Sequence, residues 1–314
     1  MEDENGTVVT EFILLGLTNV PELQIFLFAL FSIFFKLSIL GNATIIMLVV
    51  TEPRLHTPMY FLLANLSFLD ISFSTITVPR MLVDFLSERQ NISFLGCFIQ
   101  LHLFQFVGGT EAIILTAMSY DRYVAICNPL HYNVIINKRV CILMALTAWT
   151  IGFLHALLHT VLTSRLPYCK SNKINHFFCD IKPLLKLACA NTQLNENLLT
   201  IVTGIAALST FFLTLTSYAY IISSLREIQT AHGKRKAFST CASHLIVVLL
   251  FYGTAICTYM RPTSDQSVKQ DRVAAVLFTV ITPTMNPIIY TLRNKEVKNS
   301  LRKAMHKKFF PERM

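Results

Sequence analysis

Two carboxylic acids and one cation, Asp70, Glu111 and Lys36, stand in stretches where nearly every neighbour is apolar. A charged side chain at mid-bilayer costs at least about 2.5–3.5 kcal/mol on insertion scales, so each such group needs a physical reason. Packed side by side, Asp70 and Glu111 could share a proton or bind a hard cation such as Na⁺, which prefers oxygen ligands. Asn42, Ser74, Thr116 and Asn286 could supply neutral oxygens. The alternative is a protonated, hydrogen-bonded polar cluster without an ion. Lys36 has no evident partner and suits a snorkelling side chain or a contact with another helix. His155 and His159 share one helix face at i and i+4, a spacing that can hold a metal. No further metal ligand is evident near them, so a polar contact with the outer loop is the better reading. In "MSYDRYVAICNPLHY", Met118–Tyr132, Asp121 and Arg122 adjoin at the edge of an apolar run. Taken alone, they read as a static interfacial ion pair.

The elements that must position these groups follow from composition and length. Of 314 residues, 53% are hydrophobic and only 14% charged, against about 25% charged in soluble proteins. A span needs about 20 apolar residues, and seven stretches qualify: 23–50, 58–86, 97–126, 140–162, 198–224, 237–260 and 273–292. In lipid each must satisfy its own backbone groups, which makes them helices. The expected fold is an all-α integral membrane protein, a seven-transmembrane helix bundle with a short amphipathic cytoplasmic helix. It divides into an outer tail (1–22), the seven-helix bundle (23–292) and a cytoplasmic tail (293–314). Glu2, Asp3, Glu4, Glu11 and Glu22, with no Lys or Arg among them, are the reverse of a signal-peptide start. The first helix is therefore expected to be an uncleaved anchor.

Basic residues give the orientation. Arg54, Lys138, Arg139, Arg226, Lys234, Arg235, Lys236 and a run from Arg293 onward fall on one side, which the positive-inside rule makes cytoplasmic. They form no stripe with interleaved aromatics, so the net charge of +9 does not point to nucleic acid. With the N-terminus outside, Cys97, Cys169, Cys179 and Cys189 face the oxidising side, where two disulfides are favoured in any of three pairings. Cys127, Cys141, Cys241 and Cys257 read as free thiols. Among the N-x-[S/T] sequons, Asn5 on the free outer tail is the credible glycosylation acceptor; Asn91 lies too close to the membrane. In the third span, Leu101, Phe104, Gln105, Gly108 and Ala112 follow Cys97 at helical spacing. Gly108 and Gly109 leave room for a close helix or a cavity, and close packing is the simpler reading. "TPTMNPIIY" carries prolines that remove backbone hydrogen bonds from the seventh span. Val297, Leu301 and Met305 recur among Lys and Arg in the tail, a pattern that suits the anionic inner membrane face.

Along nearly its whole length the chain resembles the olfactory (odorant) receptors of the rhodopsin-like, G-protein-coupled class. The resemblance is carried by "GN" at Gly41–Asn42, "LHTPMYFLLANLSFLD" at Leu55–Asp70, "MSYDRYVAICNPLHY", "SY" at Ser217–Tyr218, "KAFSTCASH" at Lys236–His244, "FYG" at Phe251–Gly253 and "PTMNPIIYTLRNK" at Pro283–Lys295. Ser119 and Thr284 depart from the residues usual in the family. The resemblance implies disulfides Cys97–Cys179 and Cys169–Cys189 and a Na⁺-type site at Asp70 and Glu111, with no other cofactor. It implies that Asp121 holds Arg122 in the inactive state, that Arg122 is released toward Tyr218 in the active one, and that His244 takes part. Tyr123, Asn286, Pro287 and Tyr290 belong to the same switch.

It further implies a ligand cavity between the third, fifth and sixth helices. Mapped here, its lining is Leu101, Phe104, Gln105, Gly108, Gly109, Val202, Thr203, Ala206, Tyr252, Ala255, Ile256, Tyr259, Val276 and Thr279. This raises the cavity reading of Gly108 and Gly109 above packing. Phe104 stands where amine receptors place a carboxylate, so a small, neutral, mostly apolar odorant is expected. Gln105, Thr203 and Tyr259 are the candidates for orienting it. The expected partners are that odorant, membrane lipids and a stimulatory or olfactory G protein that raises cyclic AMP. The chain is expected in the plasma membrane of sensory cilia and is no enzyme. A transporter or cation channel is the rival from another class, but neither inverted repeats nor paired broken helices are visible.

Overall fold

The computed structural model describes residues 9–18, 20–87, 90–169, 171–227, 231–259, 267–293 and 295–309. Helices α1 (Pro21–Thr51), α2 (Pro58–Leu86), α3 (Phe94–Cys127) and α4 (Lys138–Ser164) form the first half of a bundle. α5 comprises Gln193–Leu198, a π-helical turn at Leu199–Thr203, and Gly204–Glu227. α6 is Ala231–Tyr259; α7 comprises Ser267–Val276, a second π-helical turn at Leu277–Ile281, and Thr282–Arg293. α8, Lys295–Phe309, follows at the inner end. Six of these helices are long and apolar enough to cross a membrane, and Cys241–Ile256 in α6 adds a shorter apolar stretch. The fold is therefore a seven-helix transmembrane bundle.

Local chemistry sets the helix ends. Pro21 and Pro58 occupy the first turns of α1 and α2, where a missing N–H costs nothing. The Ser93 hydroxyl accepts the Gly96 N–H at 3.1 Å and caps α3, and Asn137 caps α4 through Val140 at 3.1 Å. Inward residues of α2 and α3, among them Leu62, Leu66, Leu69, Phe73, Ile114, Leu115 and Met118, recur every three or four positions and form the main core. Ile25, Leu40, Leu143 and Leu249 are exposed on the outside, a surface that suits lipid rather than water. Glycines set two helix contacts. A Cβ on Gly41 would press to 2.9 Å from Pro287 Cγ, which seats α1 on the proline of α7. A Cβ on Gly152 would overlap Thr110 Oγ1 and crowd the Phe106 carbonyl, which seats α4 on α3.

The outer end departs from the free tail expected from sequence. Glu11–Leu14 (β1) pairs antiparallel with Asn91–Ser93 (β2) and parallel with Lys173–Ile174 (β3). Phe12 and Leu14 drive this pairing, because both are buried against Cys97, Phe98, Tyr168, Ile174 and Cys179. The disulfides are Cys97–Cys179 and Cys169–Cys189, as the resemblance implies. Cys127, Cys141 and Cys241 are free thiols; Asn5 and the side chains of Cys257 and Met305 lie outside the described residues. At the inner end Val297 of α8 is buried, Leu301 packs on the core, and Lys303 Nζ lies 4.0 Å from Glu52 Oε2.

Candidate functional site

The centre of the bundle is aromatic. Phe104 of α3 packs on Phe178 of the outer loop at 4.7 Å between ring centroids and on Phe73 of α2 at 5.5 Å. Phe278 of α7 joins Phe73 at 5.1 Å and Phe251 of α6 at 5.5 Å. Tyr252 is buried beside Phe211, 5.2 Å away, and its hydroxyl faces Thr116, Thr210 and Thr214 without a well-aligned bond. Gln105 is buried, and its Nε2 donor is unpartnered. Val202, Ala255 and Val276 are half-buried; Thr279 is buried and donates to the Ala275 carbonyl at 2.9 Å.

Several expected lining residues sit elsewhere. Leu101 belongs to the outer core around Cys97. Gly109 lies against Gly152 and His155 of α4, and Gly108 against Phe73 of α2, so both positions serve helix contacts. Ala206 is exposed because the inner face of α5 runs through Thr203, Thr210, Thr214 and Tyr218. Ile256 is also exposed, and the Tyr259 side chain lies outside the described residues. His155 and His159 do not reach the outer loop: their Nε2 atoms meet Thr203 Oγ1 at 2.9 and 3.3 Å, tying α4 to α5. Thr203 is thus already engaged.

Deeper in the bundle Asp70 and Glu111 are both buried and interact electrostatically. Asn286 Nδ2 donates to both Asp70 oxygens, at 2.9 and 3.1 Å. Asn42 Nδ2 donates to the Ser38 and Pro283 carbonyls, each at 3.0 Å, and Ser38 and Ser74 share a hydrogen bond of 2.8 Å. Three acceptors here are unmatched, Asn42 Oδ1, Asn286 Oδ1 and Glu111 Oε1, and the Tyr290 hydroxyl, within electrostatic reach of both acids, is unmatched as well. Buried acceptors without donors cost free energy unless a proton, water or cation faces them. A hard cation fits this all-oxygen set. Lys36 is exposed on α1 and forms no ion pair among the described residues, so it does not belong to this group.

At the inner end the expected Asp121–Arg122 ion pair does not form among the described residues. Asp121 Oδ1 instead accepts the Tyr132 hydroxyl at 2.7 Å. Tyr132 sits on a short inner helix, Tyr132–Ile135. Burial and then the Asp121 carboxylate push its phenol above the ordinary value, so it stays a donor. The Arg122 guanidinium acts electrostatically on Tyr218, His244 and Tyr290, and its Nε is buried without a partner. The Tyr218 hydroxyl meets His244 Nδ1 at 2.7 Å and the Cys241 carbonyl at 3.3 Å, which binds α5 to α6. Tyr123 packs beside Tyr220 at 5.6 Å. Pro287 and Tyr290 are buried in α7.

A family model described as "Olfactory receptor" matches residues 31–308. The chain is 55% identical over 309 residues to olfactory receptor 12D1 of Homo sapiens, covering 98% of this chain and 97% of that one. It is 53% identical over 313 residues to olfactory receptor 12D3 of Homo sapiens, with 98% of each chain covered. It is 47% identical over 308 residues to olfactory receptor 5AR1 of Mus musculus, covering 98% of this chain and 99% of that one. The chain belongs to the olfactory receptor family. It is an odorant-sensing receptor of the G-protein-coupled class, a multi-pass plasma membrane protein and a signalling molecule rather than an enzyme.

In this olfactory receptor the outer loop carries its own charge chemistry. His176 is buried, and burial followed by the Arg272 guanidinium lowers its imidazole to about 3, so it is neutral. Asp180 is pushed up to about 6, mainly by burial, with the Asp271 carboxylate adding to the rise and Lys182 opposing it. Its Oδ1 accepts the Ile181 N–H at 2.8 Å and starts the outer helix Ile181–Leu187. Gln100 ties this loop down: its Oε1 accepts the Cys179 N–H at 3.0 Å and its Nε2 donates to Ile76 at 2.9 Å. Gln100 and Tyr132 are the functional positions that sequence reasoning missed. Each is an ordinary polar residue whose partner lies on a different element, and no local pattern marks it.

Proposed function

We propose that this receptor binds a small, neutral, mostly apolar odorant among α3, α5, α6 and α7 and activates a stimulatory or olfactory G protein, raising cyclic AMP. The observation that carries this reading is the inner latch, in which Tyr132 is hydrogen-bonded to Asp121 while Arg122, without a close ion pair among the described residues, acts electrostatically on Asp121 on one side and on Tyr218 and His244 on the other. An arginine with two competing sets of partners is a two-state element, and a ligand biases such an element only by binding one state better. The aromatic wall around Phe104, Phe251 and Phe278 supports an apolar ligand. The unpartnered Gln105 donor supports a neutral acceptor group on it. Thr203 is spent on the histidines of α4, so Gln105 takes the leading orienting role. The oxygen set of Asp70, Glu111, Asn42 and Asn286 supports a Na⁺-type site, with Asp70 and Glu111 supplying the charge that balances the ion. The exposed position of Lys36, away from these acids, argues against a transporter pathway through them.

The test is to express the full chain with a stimulatory G protein and screen volatile compounds while reading cyclic AMP and ion flux. Neutral volatiles should raise cyclic AMP without flux. Flux without any G-protein signal would overturn the reading.

A further inference from the structure

Lys36, Arg80 and Arg122 are the Lys and Arg residues of the seven apolar stretches. Arg80 pairs with Asp84 at 2.9 Å, and Arg122 belongs to the inner latch. Lys36 is exposed on α1 and makes no hydrogen bond or ion pair among the described residues. Its depth denies it a lipid headgroup. The hydrocarbon core takes about 20 helical residues. Whichever of the residues 23–50 fill that core, Lys36 lies within about 7 Å of its midplane. Lipid polar groups begin about 15 Å from the midplane, and a four-carbon stem does not close the difference of about 8 Å. The Cβ of a helical residue also tilts toward the N-terminus, here the outer end, away from the anionic inner leaflet. The face around this ammonium is built for a second helix. Ala29, Lys36 and Ala43 are all exposed at seven-residue spacing, a line that drifts only about 20° per step on a straight helix. The two alanines let another backbone approach closely on either side of the charge.

We infer that this face of α1 docks on a transmembrane helix of a different protein, one that carries an Asp or Glu at mid-membrane depth. Charge complementarity selects that partner. A second copy of this chain does not supply the acid: Asp70, Asp84, Glu111 and Asp121 are the acids within its seven stretches, and all four are buried. Two copies meeting on this face would instead set Lys36 against Lys36. With a carboxylate opposite, the ammonium gains an attraction much stronger than the same pair has in water. Pairing also removes from lipid a charge that each helix holds there at a cost when alone.

The experiment uses the full chain in phosphatidylcholine nanodiscs with a labelled, leucine-rich transmembrane peptide bearing one central Asp. Energy transfer to the receptor should saturate, and Lys36→Leu should weaken the association about tenfold. Exchanging the charges, with Lys36→Asp in the receptor and a central Lys in the peptide, should restore it. In cell membranes, a photo-crosslinking residue placed at Leu40, 66% exposed and one turn from Lys36, should capture a helix with an acid at mid-span. Lys36→Leu should abolish that adduct. Equal energy transfer for the receptor and Lys36→Leu, or for peptides with a central Asp and a central Leu, would overturn the inference. So would cellular adducts confined to lipid or to a second copy of the chain. These readouts need neither ligand nor G protein, so they fail separately from the receptor reading.

Discussion

In the proposed switch, Tyr132 and Arg122 compete for Asp121. Tyr132 donates to that carboxylate, and Arg122 lies within electrostatic reach of Asp121 as well as of Tyr218 and His244. Tyr132→Phe removes the competitor while preserving the ring, so Asp121 recaptures Arg122. We expect ligand-independent cyclic AMP to fall several-fold at equal surface level; an unchanged or raised basal signal would refute the competition. In the outer loop, His176 and Asp180 oppose one another with pH. The His176 imidazole is lowered to about 3, so its contribution to stability is present above the ordinary histidine value and is lost as pH falls below it. The Asp180 carboxyl is raised to about 6, so its contribution is present at low pH and is lost as pH rises through about 6. Between about pH 4 and 6 the two therefore partly cancel. Asp180→Asn keeps a side-chain oxygen for Ile181 and leaves His176 alone. Amide exchange over residues 173–187 should then show protection falling more steeply from pH 7 to pH 5 than in the unmodified receptor.

Elements are held by close contacts that sequence shows only as glycine. Gly152 has Thr110 and the Phe106 backbone against it, whereas Gly253 has nothing within 4 Å. Gly152→Leu should force α4 from α3, costing about 1–3 kcal/mol as overpacking does, and should lower the melting temperature and surface level. Gly253→Ala should leave both nearly unchanged. The helices themselves were legible, because about twenty apolar residues bounded by polar turns leave few alternatives in lipid. The free outer tail was not the outcome: Glu11–Leu14 becomes a strand only because Asn91–Ser93 and Lys173–Ile174 arrive beside it. Such pairing is a tertiary event with no local signature in four residues. The π-helical turns at Leu199–Thr203 and Leu277–Ile281 were likewise invisible, though the second precedes the prolines that mark α7 as irregular.

Across the whole molecule the bundle joins an outer core sealed by two disulfides, an aromatic and acidic centre, and an inner latch that links α3, α5 and α6. The motifs located the acids, the cysteines and the latch residues other than Tyr132, because those side chains are conspicuous in apolar surroundings. Phe104, Gln105 and Tyr252 lie at the centre as mapped, but not every mapped wall residue does. Gly109 and Ala206 match their surroundings in composition, and only the direction of each helix face assigns them to a packing contact or to the outside. The central claim is that a ligand bound in the bundle acts through Arg122 on a G protein. The most direct measurement is cyclic AMP elicited by an active volatile in the receptor and in Arg122→Ala, at matched surface levels. The account predicts a concentration-dependent rise in the receptor and none in the variant. A preserved response in Arg122→Ala would contradict it.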